Sequence, residues 1–83
     1  MRVRVRLFST YREIVGAKEV PFAVAAGGTL EAFLRAFFAR YPGLSAHRGT
    51  MMLAVNHAFA DPSTPLRDGD EVALLPPVSG GRP

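Results

Sequence analysis

Thr29-Leu30-Glu31-Ala32-Phe33-Leu34-Arg35-Ala36-Phe37-Phe38-Ala39-Arg40-Tyr41 is the stretch on which the fold turns. Leu30, Phe33, Leu34, Phe37 and Phe38 recur at i, i+3, i+4, i+7 and i+8, the spacing of one helix face. Arg35 and Arg40 fall off that stripe. Thr29 suits the N-cap, where a hydroxyl accepts from an unpaired amide of the first turn. Glu31 then sits where negative charge complements the helix dipole. Gly27-Gly28 breaks the chain before this stretch, and Pro42-Gly43 stops it. The spacing predicts a helix over 30–41 with one strongly apolar face. Such a face must be buried against a second layer.

The flanking segments supply that layer. Val3, Val5 and Leu7 alternate with Arg2, Arg4 and Arg6, the period of a half-buried strand. Ser9 and Thr10 offer caps for a short helical turn over 11–15, closed by Gly16. Residues 18–24 read as a second strand, and Pro21 within it argues for a sheet edge. Beyond the helix, 45–50 read as a polar loop and 51–55 as a third strand. Asn56-His57 ends that strand, since Asn tolerates the positive φ of a tight turn. Phe59 falls on a short pairing segment, Asp68-Gly69-Asp70 on a turn, and 71–75 on a final strand. The order is two strands, one long helix, then several strands. This predicts an α+β fold with a mixed sheet packed on one main helix, and the β-grasp arrangement fits it. Pro76-Pro77 removes two backbone donors and ends sheet pairing. The expected organisation is a body over 1–77 and a flexible tail over 78–83.

The 83 residues are one domain's worth, and 48% are apolar, enough for a core and too many for a disordered chain. No apolar run approaches the roughly 18 residues of a membrane span. The N-terminus lacks the apolar stretch of a secretory signal, so the cytoplasm is the expected compartment and no membrane partner is expected. There is no cysteine, which excludes disulfides, thiolate metal sites and a persulfide on this chain. The net charge is +3, and nine of the ten basic residues are Arg. That balance could favour nucleic acid or an acidic protein partner, but a solvated Arg-rich surface is the favoured reading and nucleic acid is not expected. His47 and His57 lack a paired ligand spacing, so no metal site is expected. Asp68, Asp70 and Glu71 lack the calcium-loop spacing and read as a solvated turn.

The most informative segment is the tail. Gly80-Gly81 carries no Cβ atoms and can enter a slot too narrow for any side chain. Gly-Gly near a C-terminus is weak by itself, because such tails are often glycine-rich. Read with Phe8, Arg12-Glu13, Gly16, the helix from Thr29, Ala54-Val55-Asn56, Pro65-Leu66, Asp68-Gly69-Asp70-Glu71-Val72-Ala73 and Pro76-Pro77-Val78-Ser79-Gly80-Gly81, it gains weight. Together these segments resemble the molybdopterin synthase small subunit family (MoaD), of the MoaD and ThiS group of ubiquitin-like proteins. The resemblance spans nearly the whole chain. The thiamine-pathway carriers share the fold and the Gly-Gly but usually lack the double proline.

The resemblance implies a sulfur carrier in molybdenum cofactor biosynthesis that is not an enzyme on its own. An E1-like adenylyltransferase would use ATP to adenylate the Gly81 carboxylate, and a sulfurtransferase would convert it to a thiocarboxylate. The tail would enter the large synthase subunit, in a heterotetramer, and give its sulfur to the pterin precursor. No cofactor is expected on this chain. The missing cysteine agrees, since the terminal carboxyl would be the carrier. Arg82-Pro83 departs from the family, where the second glycine is last. A carboxyl held in a peptide bond cannot be adenylated. Trimming after Gly81 is the expectation; an inactive paralogue and an added tail are the alternatives.

Strand parity adds a docking surface. With Val3, Val5 and Leu7 facing the helix, Phe8 falls on the opposite face; with Val72 and Leu74 inward, Leu75 points outward. Phe59 joins them. Three large apolar groups on a solvent face suggest a binding patch, and the resemblance places partner contacts there. That Phe8 and Leu75 instead pack beneath loops stays open. Rival functions are a carrier for thiamine or transfer-RNA thiolation, a ubiquitin-like modifier, and a β-grasp module binding RNA or protein.

Overall fold

Val3, Val5 and Leu7 are buried along β1 (Arg2–Leu7), while Arg2 and Arg4 are exposed and Arg6 is half-buried. This alternation gives the sheet one covered and one open face. The computed structural model describes residues 1–77. β1 pairs antiparallel with β2 (Glu19–Ala23) and parallel with β5 (Glu71–Leu75). β3 (Met52–Val55) runs antiparallel to both β5 and the two-residue β4 (Ala58–Phe59). The order β2-β1-β5-β3-β4 is a five-stranded mixed sheet of the β-grasp type. Pro21 lies on edge strand β2, where its missing amide proton costs no central pairing.

Helix α1 (Ser9–Val15) follows β1 directly, and α2 (Leu30–Arg40) covers the apolar face. Leu30, Phe33, Leu34 and Phe37 are fully buried and share one core with Val3, Val5, Leu7, Leu53, Val72 and Leu74. Phe38, at the margin of the stripe, is only half-buried. Phe22 of β2 meets Phe33 and Phe37 edge-on, at 5.7 and 5.0 Å between ring centroids. That geometry suits the aromatic quadrupole. Thr29 caps α2 as its sequence predicts, accepting from the Ala32 amide at 3.3 Å. The Leu30 and Glu31 amides donate to the carbonyls of Thr64 and Pro62. A distant loop thus satisfies two of the helix's unpaired donors. Thr29→Ala is expected to lower stability by about 1 kcal/mol, read from the urea midpoint.

Three local expectations need correction. Ser9 and Thr10 do not cap α1: Phe8 is the N-cap, without a side-chain cap bond, and Ser9 takes a left-handed φ of 52°. Only Phe8 separates β1 from α1, so the cap position falls on a residue whose side chain has no oxygen to accept from the first turn. Gly16 closes α1 as expected, at φ 89°, with its amide donating to Arg12. Second, α2 ends at Arg40, with Tyr41 as its C-cap. Third, Pro42–His47 is a 3-10 helix where Ser45 and its neighbours were expected to begin a loop. Pro42 suits a helix start, the Ser45 hydroxyl donates to the Pro42 carbonyl, and Leu44 is fully buried.

Arg48, just after this 3-10 helix, donates to Glu31 at 2.9 Å; Arg35 approaches the same carboxylate at 3.5 Å. The Arg48 hydrogen bond, above all, holds the Glu31 carboxyl below the usual range. A folded-state value below the unfolded one stabilises at pH above the ordinary carboxylate range. That contribution fades as pH falls through the folded value. Glu31→Gln is expected to remove this part of the acid-side decline in urea midpoint.

Candidate functional site

The open face of the sheet is built by residues out of phase with the core. Arg6 pairs in register with Ala73, Ala73 with Ala54, and Ala54 with Phe59. Along this row two alanines lie between an arginine and a phenylalanine, with Glu19 of β2 beyond the arginine. Small residues between large ones make a hollow. Phe8, Leu75, His57 and Glu71 complete its lining, and its volume is about 210 Å³. Phe59 stands 74% exposed at the rim and also lines two more open clefts on its other sides.

Asn56 and His57 place the far wall. Both have positive φ, 51° and 71°, the conformation of a tight hairpin turn between β3 and β4. Asn56 fastens this turn to β5: its amide donates to the Glu71 carbonyl at 2.8 Å, and its Oδ1 accepts from the Glu71 amide at 3.0 Å. Its Nδ2 donates to Asp70 at 2.9 Å. Asn56→Gly keeps the backbone conformation but removes both side-chain bonds. A loss of about 1–2 kcal/mol is expected in chemical denaturation.

The near wall is β1. Arg6 holds its guanidinium 5.6 Å from the Phe8 ring centroid, a cation–π distance. Arg4 and Arg6 also reach Glu71, at 3.4 and 3.6 Å. The β1 arginines are therefore not simply a solvated row. Nor does Glu71 belong to a solvated turn: among the described residues it is the buried charged side chain, and it lines the pocket. Asp68 and Asp70 serve the chain itself, accepting from the backbone amides of Arg2 and Arg67.

Phe8, Phe59 and Leu75, singled out by sequence, thus line one pocket. Gly80 and Gly81, with Arg82-Pro83, lie outside the described residues. Sequence reasoning missed Arg6, Ala54, Ala73, His57 and Glu71 as pocket residues. Counting back by twos from Leu75 reaches Ala73 and Glu71, so strand parity carried part of that signal. Among the described residues, no helix is long and apolar enough to cross a membrane.

The sequence profile of the ThiS family matches residues 5–81. The chain belongs to the ThiS family. Among its relatives is the molybdopterin synthase sulfur carrier subunit of Chlamydomonas reinhardtii. It is 36% identical over 83 residues, covering 98% of this chain and all of the relative. The fold matches the crystal structure of SAMP1 from Haloferax volcanii with a TM-score of 0.85 and 29% identity, over 98% of this chain and 100% of that one. It also matches a chain in the complex of subunits 1 and 2 of molybdopterin-converting factor from Helicobacter pylori. There the TM-score is 0.70 and the identity 34%, again over 98% and 100% of the two chains. This ThiS family chain therefore shares its β-grasp body with sulfur carriers and with a small archaeal modifier.

Proposed function

We propose that this ThiS family chain is the sulfur carrier subunit of a molybdopterin synthase. The observation that carries the reading is the convergence of Phe8, Phe59 and Leu75 on one pocket beside the exit of β5. Leu75 is the last residue of that strand, and Pro76-Pro77 follow it. A partner that grips the pocket therefore lies next to the point where the chain departs toward Gly80-Gly81.

The chemistry begins with hydrolysis of the peptide bond after Gly81, which frees its carboxylate. A carboxylate is a poor electrophile. An E1-like adenylyltransferase lets its oxygen attack the α-phosphate of ATP, and pyrophosphate leaves. The mixed anhydride then carries a good leaving group. Sulfur from a persulfide on a sulfurtransferase attacks the carbonyl carbon and AMP departs. Reductive cleavage of the sulfur–sulfur bond by a thiol releases the thiocarboxylate. Inside the large subunit, where the tail threads because two glycines present no side chains, its soft sulfur bonds to a carbon of the pterin precursor as an oxygen substituent leaves. Water then cleaves the acyl–sulfur bond, which leaves the sulfur on the precursor and returns the Gly81 carboxylate. The large subunit supplies the residues that bind the precursor, in a heterotetramer of two carriers and two large subunits.

Similarity to SAMP1 favours one second reading, a ubiquitin-like modifier whose Gly81 carboxylate is joined to an amine. Intact mass spectrometry separates the two. Protein from its native host, during active cofactor synthesis, is expected to end at Gly81, with one oxygen replaced by sulfur in part of the sample. Finding only a chain that ends at Pro83 sinks both readings. Conjugates to lysine without any thiocarboxylate favour the modifier.

A further inference from the structure

Glu71 opens β5 on the open face of the sheet, yet it is only 9% exposed. An ionised carboxylate withdrawn from water needs charged or hydrogen-bonding partners. Arg4 Nη2 at 3.4 Å and Arg6 Nη1 at 3.6 Å supply the charge, and His57 Nε2 lies against the other side at 3.8 Å, so two separate segments meet at the carboxylate. Arg4 and Arg6 come from β1; His57 comes from the hairpin turn beyond β3. β5 lies between those strands in the sheet. The carboxylate therefore sits midway between the two walls of the pocket and is in contact with both.

Each wall carries one of the apolar anchors. Arg6 lies over the Phe8 ring. His57 stands two residues before Phe59, in the turn that delivers it. We propose that Glu71 is a positioning residue for docking: its carboxylate holds Arg6 and His57, and through them sets the gap between Phe8 and Phe59 that a partner's apolar side chain must enter. Separations of 3.4–3.8 Å are longer than a tight charge-assisted hydrogen bond, about 2.7–2.9 Å. The tie to Arg4 and Arg6 is electrostatic centring, and it vanishes with the charge; His57 is held on the other side by packing against the same carboxylate. In Glu71→Gln the backbone bonds to Asn56 remain, because they use the Glu71 amide and carbonyl. The two guanidinium groups lose their shared anion, and the Arg6 cover over Phe8 loosens.

The proposal rests on the reading that this pocket receives the large subunit, and the test separates the two. The probe is the molybdopterin synthase large subunit of the same organism, titrated against the intact carrier by calorimetry. The temperature is one at which circular dichroism shows every variant folded. Glu71→Gln is expected to weaken binding about tenfold, and Arg6→Gln by a similar factor. The double variant should be little worse than either single one, since both break the same tie. Phe59→Asp should weaken binding at least as much. Arg35→Gln, on the exposed side of α2, should bind like the parent. Unchanged binding of Glu71→Gln alongside a lowered melting temperature makes Glu71 merely structural and overturns the proposal. So does full additivity of the two single variants. Normal binding of Phe59→Asp removes the pocket as the docking surface and defeats the functional reading as well. If Glu71→Gln does not fold, Arg6→Gln decides: parent-like affinity overturns the tie.

Discussion

Gly81→Ala is expected to cut sulfur transfer to the pterin precursor by at least about a hundredfold, while the melting curve stays that of the parent. On the proposed function the variant still has a terminal carboxylate after trimming, so the chemistry of adenylation is not removed in principle. What changes is fit. Under the threading proposal, a methyl group at residue 81 has to pass through a channel shaped for bare backbone. A misplacement of about 1 Å at the reacting carbon costs on the order of a hundredfold in rate. Stability stays put because the apolar core is closed by residues of the body, from Val3 to Leu74. The measurement is thiocarboxylate formation and precursor conversion with purified activating enzyme, sulfurtransferase and large subunit. Parent-like conversion by Gly81→Ala would refute the threading argument and leave the docking pocket untouched.

Phe37→Ala has the largest expected effect on folding, a loss of about 3–5 kcal/mol. The ring is fully buried and packs against Phe22, Phe33 and Tyr41, at 5.0, 5.2 and 4.9 Å between centroids. Removing it strips area from the core and leaves a cavity between three aromatic neighbours that cannot all collapse inward. A domain of this length is worth only about 4–12 kcal/mol in total. The variant should therefore be largely unfolded at modest urea concentrations. Phe38→Ala, one residue along and half-buried, is the internal comparison and should cost far less. A loss below about 1 kcal/mol for Phe37→Ala means that the α2 face does not carry the core.

The two substitutions probe the two kinds of information the sequence held. Periodicity revealed α2 and the parity of β1 and β5, because burial on one face of a helix or sheet repeats with a fixed step. The same parity found Phe8 and Leu75, and the hairpin chemistry of Asn56 brought in Phe59. Pro21 marked the edge strand for a reason internal to proline. What stayed hidden depends on partners distant in sequence. The burial of Leu44, and with it the 3-10 helix, follows from where α2 leaves the chain relative to the sheet. The loop carbonyls that bond the first turn of α2 are invisible until Pro62 and Thr64 are placed beside it. Glu71 read as a solvated acid because composition cannot distinguish a charge facing water from one drawn beneath two arginines. The Ser9 conformation was hidden for a simpler reason: a serine after a strand looks like an ordinary cap.

The pairing of β1 with β5 at the centre of the sheet has a consequence for biosynthesis. Of the described strands β1 comes first in the chain and its parallel neighbour β5 last, so its ladder stays incomplete until Leu74 has emerged. Contacts of such high sequence separation slow folding. A nascent chain halted before Glu71 would hold Val3, Val5 and Leu7 without their central neighbour, a sticky surface that invites chaperones or misassembly. On the proposed function, an activating enzyme meets a finished docking surface only once translation has passed β5, so maturation of the end follows completion of the body.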